Sequence, residues 1–187
     1  DFMKKVIFSL SIILTVFLST QSFSDEKTVS VKYKIYGKAK VTDGDTIVIK
    51  QWYPIEKIYK NHKVRLFGID APEKKQICKD KNNKDYNCGI VATKALRNFV
   101  GNQNVLCIFD NWDIYKRVLG ICGIADNIDG GDMFLYLNGY MVSNGYAVAY
   151  TKYSKKFQKN EELPRKHKVG VWQGEFDMPW EWRRKNK

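Results

Sequence analysis

Histidine is scarce in this 187-residue chain, with two in all, and none of its four cysteines forms a Cys-x-x-Cys pair. A structural zinc site needs four nitrogen or sulfur ligands at short spacings, so zinc chemistry is not indicated. Past residue 18 no run is apolar enough for a transmembrane helix. Repeats, linkers and low-complexity tracts are missing too, which points to one domain with a core of its own.

What is abundant is positive charge. The formal net charge is +12, and lysine and arginine in such excess favour a polyanionic partner, because they release counterions condensed on nucleic acid and steer it over long range. The first residues have a separate meaning. Met3-Lys4-Lys5, the apolar run Val6 to Leu18 and the small residues Ser22 and Ser24 have the charged region, hydrophobic region and cleavage site of a secretory signal. Residues 1–24 are therefore expected to be a signal peptide cut after Ser24. Residues 25–187 would be the exported domain, periplasmic or secreted, with no stable membrane association after cleavage.

Export makes the four cysteines candidates for two disulfides. Cys107 lies in the strand-like run Val105 to Phe109 and Cys122 in Val118 to Ile124, so a hairpin closing between Ile114 and Tyr115 sets them opposite each other. Cys78 and Cys88 then close the Lys- and Asn-rich loop between them. Four buried free thiols are the alternative.

Alternation over Val31 to Ile49, broken by Asp43-Gly44, reads as a β-hairpin, and His62 to Ile69 as a further strand ended by Asp70-Ala71-Pro72. Gly89 to Val100 places Ala92, Ala95, Leu96 and Phe99 on one helical face. Val105 to Ile124 is the cysteine hairpin, Met133 to Val142 a helix closing at Asn144-Gly145, and Lys155 to Val169 a surface helix in which Pro164 is a start or a kink. The aromatic tail from Val171 to Arg184 is expected to dock on the domain. The order gives a mainly β, α+β fold: a small five-stranded β-barrel of the oligonucleotide-binding (OB) type, capped by about three α-helices.

Three segments carry acidic and arginine side chains at element ends: Val41-Thr-Asp-Gly-Asp-Thr-Ile47, Val64-Arg-Leu-Phe-Gly-Ile-Asp-Ala-Pro-Glu73 and Asp113-Ile-Tyr-Lys-Arg-Val118. Asp45 and Asp70, at the ends of neighbouring strands, suit a shared hard cation such as Ca²⁺ with its loose, oxygen-rich coordination. Arg65 and Arg117 offer planar, bidentate donors to a phosphoryl group. Asp43 reads as a turn residue that orients the metal loop.

In order and spacing, the three segments resemble the staphylococcal nuclease (thermonuclease) family over nearly all of the chain after residue 24. The cysteine pattern and the tail resemble its exported bacterial members. The resemblance implies metal ligation by Asp45, Asp70 and the main-chain carbonyl of Ala71, with Glu73 as general base and Arg65 and Arg117 on the phosphate. Tyr115, Tyr150 and Tyr153 are the candidates to stack on bases or touch phosphate, half-buried barrel positions being the alternative. The activity implied is Ca²⁺-dependent hydrolysis of DNA and RNA, preferring single strands and leaving 3′-phosphates and 5′-hydroxyls, by a monomer. A catalytically inactive nucleic-acid-binding barrel is the second reading. Two positions depart from the pattern: Ala71 stands where threonine is known, and Lys116 where glycine commonly precedes the arginine.

Overall fold

The computed structural model describes residues 32–128 and 131–187. The expected signal segment lies outside them. Strands β1 (Tyr33–Asp43), β2 (Thr46–Tyr53) and β3 (Ile58–Leu66) form an antiparallel meander. After the short β4 (Ile69–Asp70) come β5 (Cys78–Lys79), β6 (Asp85–Tyr86) and helix α1 (Cys88–Val100). Strands β7 (Asn104–Trp112), β8 (Val118–Ile128) and β9 (Gly131–Tyr136) follow, then α2 (Leu137–Ser143), β10 (Val148–Ala149), α3 (Gln158–Lys166), a 3-10 turn (Gly170–Gln173) and α4 (Pro179–Lys185).

The sheet runs β3-β2-β1-β7-β8, and β8 returns to pair with β3, in parallel, through Val64 with Val118 and Arg65 with Leu119. That pairing closes a five-stranded barrel, as expected. Its interior is filled by alternate residues of each strand, among them Ile47 and Ile49, Val64 and Leu66, and Val105 and Cys107, all buried. Helix α1 lays Ala92, Thr93, Leu96 and Val100 against this core. Asn87 caps its start by accepting from the Ile90 N–H at 2.8 Å, and Arg97 accepts from the Gly101 N–H at its end. Thr93 is buried with Gly89, Ala92, Leu96 and Val100 in the stripe that faces the core. Its hydroxyl donates to Gly89 O at 2.9 Å.

Two boundaries and the helix count differ from the sequence reading. β3 starts at Ile58, four residues before the expected His62, because Ile58 to Asn61 pair with β2 in a ribbon that is exposed throughout and shows no burial alternation. Residues 133–136, expected as the first turn of a helix, belong to β9, where the free edge of β8 supplies a ladder that local helical periodicity cannot match. Among the described residues there are four α-helices, where about three were expected, the fourth formed by the C-terminal tail. The helix end at Asn144-Gly145 is as expected, with Gly145 at φ 67°. Pro164 lies inside α3. Both disulfides have the favoured pairing, Cys78–Cys88 and Cys107–Cys122.

Asn138 ties α2 to the barrel. Fully buried, its Oδ1 accepts from Cys122 N at 3.0 Å, and its Nδ2 donates to Phe67 O at 2.9 Å and Gly120 O at 3.2 Å. Truncation would remove the side-chain partner of the buried Cys122 N–H and the donor to Phe67 O, while Gly120 O keeps the Phe67 N–H at 2.9 Å. Asn138→Ala is expected to cost about 3 kcal/mol, read as a lowered urea midpoint at unchanged slope.

Candidate active site

The site forms where the β1–β2 turn, the β3–β4 corner and the loop after β4 meet. Thr46 pairs with Arg65, which brings Asp45, just before β2, beside the Arg65 side chain. Leu66 N donates to Asp45 O at 2.8 Å and Ala71 N to Asp45 Oδ2 at 3.3 Å. The turn thus leans directly on the corner. A Cβ on Gly44 would stand 2.8 Å from the Ala71 Cβ and 2.9 Å from the Ala92 Cβ, so only glycine lets the turn approach so closely. Gly89 does the same for the Glu73 loop, since a Cβ there would fall 1.8 Å from Glu73 O.

Arg65 lies between the two aspartates, with Nη1 at 2.6 Å from Asp45 Oδ2 and Nη2 at 2.6 Å from Asp70 Oδ1. Burial of the guanidinium favours its neutral form, but Asp45 and Asp70 outweigh this and hold it above its ordinary pKa. Asp70 is fully buried. Burial pushes its carboxyl upward, opposed by the hydrogen bonds of Arg183 and the charge of Arg65 and reinforced by Asp45. Burial likewise raises Asp43, whose Oδ1 accepts from Gly44 N at 2.8 Å and faces the Thr93 hydroxyl at 3.4 Å. Asp43 therefore braces the turn against α1.

The carboxylates of Asp45 and Asp70 converge on one guanidinium, and Ala71, with its carbonyl, is the next residue in the chain. This is a hard-oxygen donor set of the kind that suits Ca²⁺. Among the described residues no three His, Cys, Asp or Glu side chains converge as a metal cage. A cation here would rest on two carboxylates, a carbonyl and oxygens of solvent or substrate.

Glu73 is about one-third exposed and pairs with Arg183, Nη1 to Oε1 at 2.8 Å. Its loop is fixed by Gln76, which is fully buried. Gln76 Oε1 accepts from Glu73 N at 3.2 Å, while its Nε2 donates to Asp177 O at 2.7 Å. Neither Gln76 nor Arg183 stood out in the sequence. Gln76 sits in a lysine-rich loop, and Arg183 looks like an ordinary cation in the last turn of a helix.

Arg117 makes no hydrogen bond or ion pair with Asp45, Asp70 or Glu73 among the described residues; its partner is Asp113. The arginine immediately precedes Val118, the β8 partner of Val64. Asp113 Oδ2 accepts from Arg117 Nε at 2.7 Å, and its Oδ1 accepts from the backbone N–H groups of Tyr115 and Arg117 at 2.9 and 2.8 Å. With Nε engaged, the two terminal nitrogens are the donors left for a ligand. Lys116 occupies the left-handed region at φ 60°, which explains why glycine suits that position.

Partial burial works against the Asp113 carboxylate, yet the hydrogen bonds from Arg117 hold its pKa below the usual range. A carboxyl with a depressed folded pKa stabilises the fold fully above its unfolded value of about 4, and that part is lost as pH falls through the folded value. The stability gap between wild type and Asp113→Asn should therefore narrow as urea titrations move below about pH 4. A gap unchanged down to pH 2 would contradict this role.

Tyr115 and Tyr153 are 73% and 64% exposed, so both are available for stacking and neither is a barrel-filling position. The Arg117 guanidinium lies 5.6 Å from the Tyr115 ring. Tyr150 is half-buried, its N–H donating to Gly68 O at 2.9 Å. Its ring stands edge-on to Tyr153 at 4.9 Å and stacks on Trp180 at 5.1 Å and 13°.

With this geometry in view, the chain matches the family model described as staphylococcal nuclease homologue over residues 63–174. The match spans Arg65, Asp70, Ala71, Glu73, Arg117 and the three tyrosines, and ends before α4. An uncharacterized endonuclease of Escherichia coli is 31% identical over 80% of this chain and 85% of its own length. A succinoglycan biosynthesis protein of Rhizobium meliloti is 30% identical over 75% of this chain, which spans 66% of that protein. A probable staphylococcal-like nuclease of Oryza sativa subsp. japonica is 30% identical over 71% of the chain and 23% of its own length.

Proposed function

As the chain belongs to the staphylococcal nuclease family and is a nuclease, we propose that it is a Ca²⁺-dependent phosphodiesterase acting on both DNA and RNA. It prefers single strands and leaves 3′-phosphate and 5′-hydroxyl ends. The observation that carries the reading is the convergence of Asp45, Asp70 and Arg65 beside Glu73.

Phosphodiester hydrolysis needs an oriented water, a base for its proton and compensation for charge growing on the phosphoryl oxygens. Asp45, Asp70 and the Ala71 carbonyl would hold Ca²⁺, which supplies charge neutralisation at the phosphate when bound. Glu73 takes the proton from the water as its oxygen bonds to phosphorus, and the 5′ oxygen leaves and is protonated by solvent. Arg65 balances the negative charge of the two aspartates and would offer the rest of its planar guanidinium to the phosphoryl group. Arg117, aimed by Asp113, donates from its terminal nitrogens. Tyr115, Tyr150 and Tyr153 line the approach, where stacking holds unpaired bases without reading their sequence.

The same reading makes the protein an exported monomer, periplasmic or secreted once residues 1–24 are removed. Two disulfides support an oxidising compartment. Among the described residues no helix is long and apolar enough to cross a membrane.

End-group analysis tests the specificity. The protein is incubated with a 5′-labelled single-stranded oligonucleotide, as DNA and as RNA, and the fragments are treated with a 3′-phosphatase. Fragments of both that shift on phosphatase treatment are expected. Fragments with 3′-hydroxyl ends would contradict the proposed direction of cleavage.

A further inference from the structure

The C-terminal helix reaches into the site. Both oxygens of Asp70 are occupied by guanidinium donors: Oδ1 accepts from Arg65 Nη2 at 2.6 Å and from Arg183 Nη1 at 3.0 Å, and Oδ2 accepts from Arg183 Nη2 at 2.7 Å. The same Arg183 Nη1 also holds Glu73. Three of the four acceptor sites of Asp70 are thereby taken, and a divalent cation ligated by Asp70 would be repelled by both guanidiniums unless one of them withdraws.

The structure indicates which one yields. The Arg65 side chain is 15% exposed and rises from a strand paired on both sides. The Arg183 side chain is 34% exposed and sits on a seven-residue helix of which only Pro179 is buried. A helix so short has little stability of its own and depends on its docking contacts. Those contacts are the Arg183 pairs, the stack of Trp180 on Tyr150 and the packing of Trp180 against the small cluster of Cys78, Cys88, Val148 and Val171. The segment just before it is tied down separately, through Asp177 O to Gln76 and Glu175 O to Lys79 N. A hinge at Met178 would let α4 lift while residues up to Asp177 stay in place.

We propose that α4 is a latch on the nuclease site, in which Arg183 is a tethered competitor of the divalent cation for Asp70 and Trp180 covers the Tyr150 stacking platform. Cation binding and α4 docking exclude one another, so loading the site also uncovers Tyr150. The inference rests on the calcium reading above. Its consequence is quantitative: if the free site is available in only about one molecule in ten, the apparent dissociation constant for the cation is raised about tenfold. Activity would then be confined to higher Ca²⁺ concentrations than the two aspartates alone would require.

The test is calorimetric titration of the full chain with Ca²⁺, together with amide hydrogen exchange over residues 179–185 with and without the ion. Arg183→Ala is expected to bind Ca²⁺ about tenfold more tightly than wild type, and exchange in α4 of the wild type to rise when Ca²⁺ is added. Trp180→Ala, which loosens the latch without touching a carboxylate, should shift affinity in the same direction and carries the test if Arg183→Ala does not fold. Equal or weaker binding in the variants, with α4 still protected, would overturn the latch and leave the calcium reading standing. No binding of Ca²⁺ by any of the three proteins would remove both.

Discussion

Glu73→Gln is expected to lower turnover by about 10²- to 10⁴-fold, the range a positioned general base contributes, while substrate binding and the folded structure are kept. The amide matches the carboxylate in size and can accept a hydrogen bond from water, but it cannot take a proton from it at neutral pH. The one ion pair lost, with Arg183, is part-exposed on both sides and is worth no more than about 1 kcal/mol. The effect should therefore fall on kcat, leaving KM and the melting midpoint close to wild type. A variant with near-normal kcat would remove Glu73 from the chemistry and leave its link to Arg183 as its main role.

Arg65→Ala should do more damage of a different kind. Its guanidinium is the shared partner of Asp45 and Asp70, whose side chains are 7% and 0% exposed, and removing it leaves the buried Asp45 without its ion-pair partner beside an Asp70 held by Arg183 alone. Breaking a buried pair in this way costs about 3 to 5 kcal/mol, and loss of a preorganised donor to the phosphoryl group costs about 100-fold or more in rate. The variant is expected to unfold at lower denaturant and to recover stability partly as Ca²⁺ is added, since a cation can replace the missing charge. Arg65→Lys separates the effects. One ammonium keeps a positive charge between the aspartates but cannot bridge both of them and a phosphate with fixed, planar geometry. Stability should return further than rate.

Much of this was legible in the residues. Alternation and the Asp43-Gly44 turn located the first hairpin, and the midpoint between Cys107 and Cys122 located the second, which the register places directly opposite each other. What fixed the barrel, the parallel return of β8 to β3, is a long-range pairing with no local signature. β9 was missed because its pattern over Met133 to Tyr136 is as compatible with a helix as with a strand, and the edge of β8 decides between them. The ribbon from Ile58 to Asn61 was missed because neither of its faces is buried.

Asp45 and Asp70 stood out because they sit at element ends where the chain turns sharply, and sharp turns leave Gly, Asp and Pro in the sequence. Glu73 was singled out through the family resemblance. Arg117 and Asp113 were in the same segment, but that Asp113 grips Arg117 depends on a tight turn with Lys116 at positive φ, which sequence spacing does not reveal. Arg183 was the largest omission. It reaches Asp70 across 113 residues, on a helix whose composition suggests only a charged C-terminal end.

The proposed Ca²⁺-dependent nuclease site is built on Asp45, Asp70, Arg65 and Glu73. Its most direct test is cleavage of labelled single-stranded DNA by the wild-type protein and by Asp70→Asn, in Ca²⁺ and again with a chelator in excess. Rapid cleavage by the wild type in Ca²⁺, abolished by the chelator and by the substitution, is the predicted result. Cleavage that persists under chelation, or in Asp70→Asn at the wild-type rate, would contradict it.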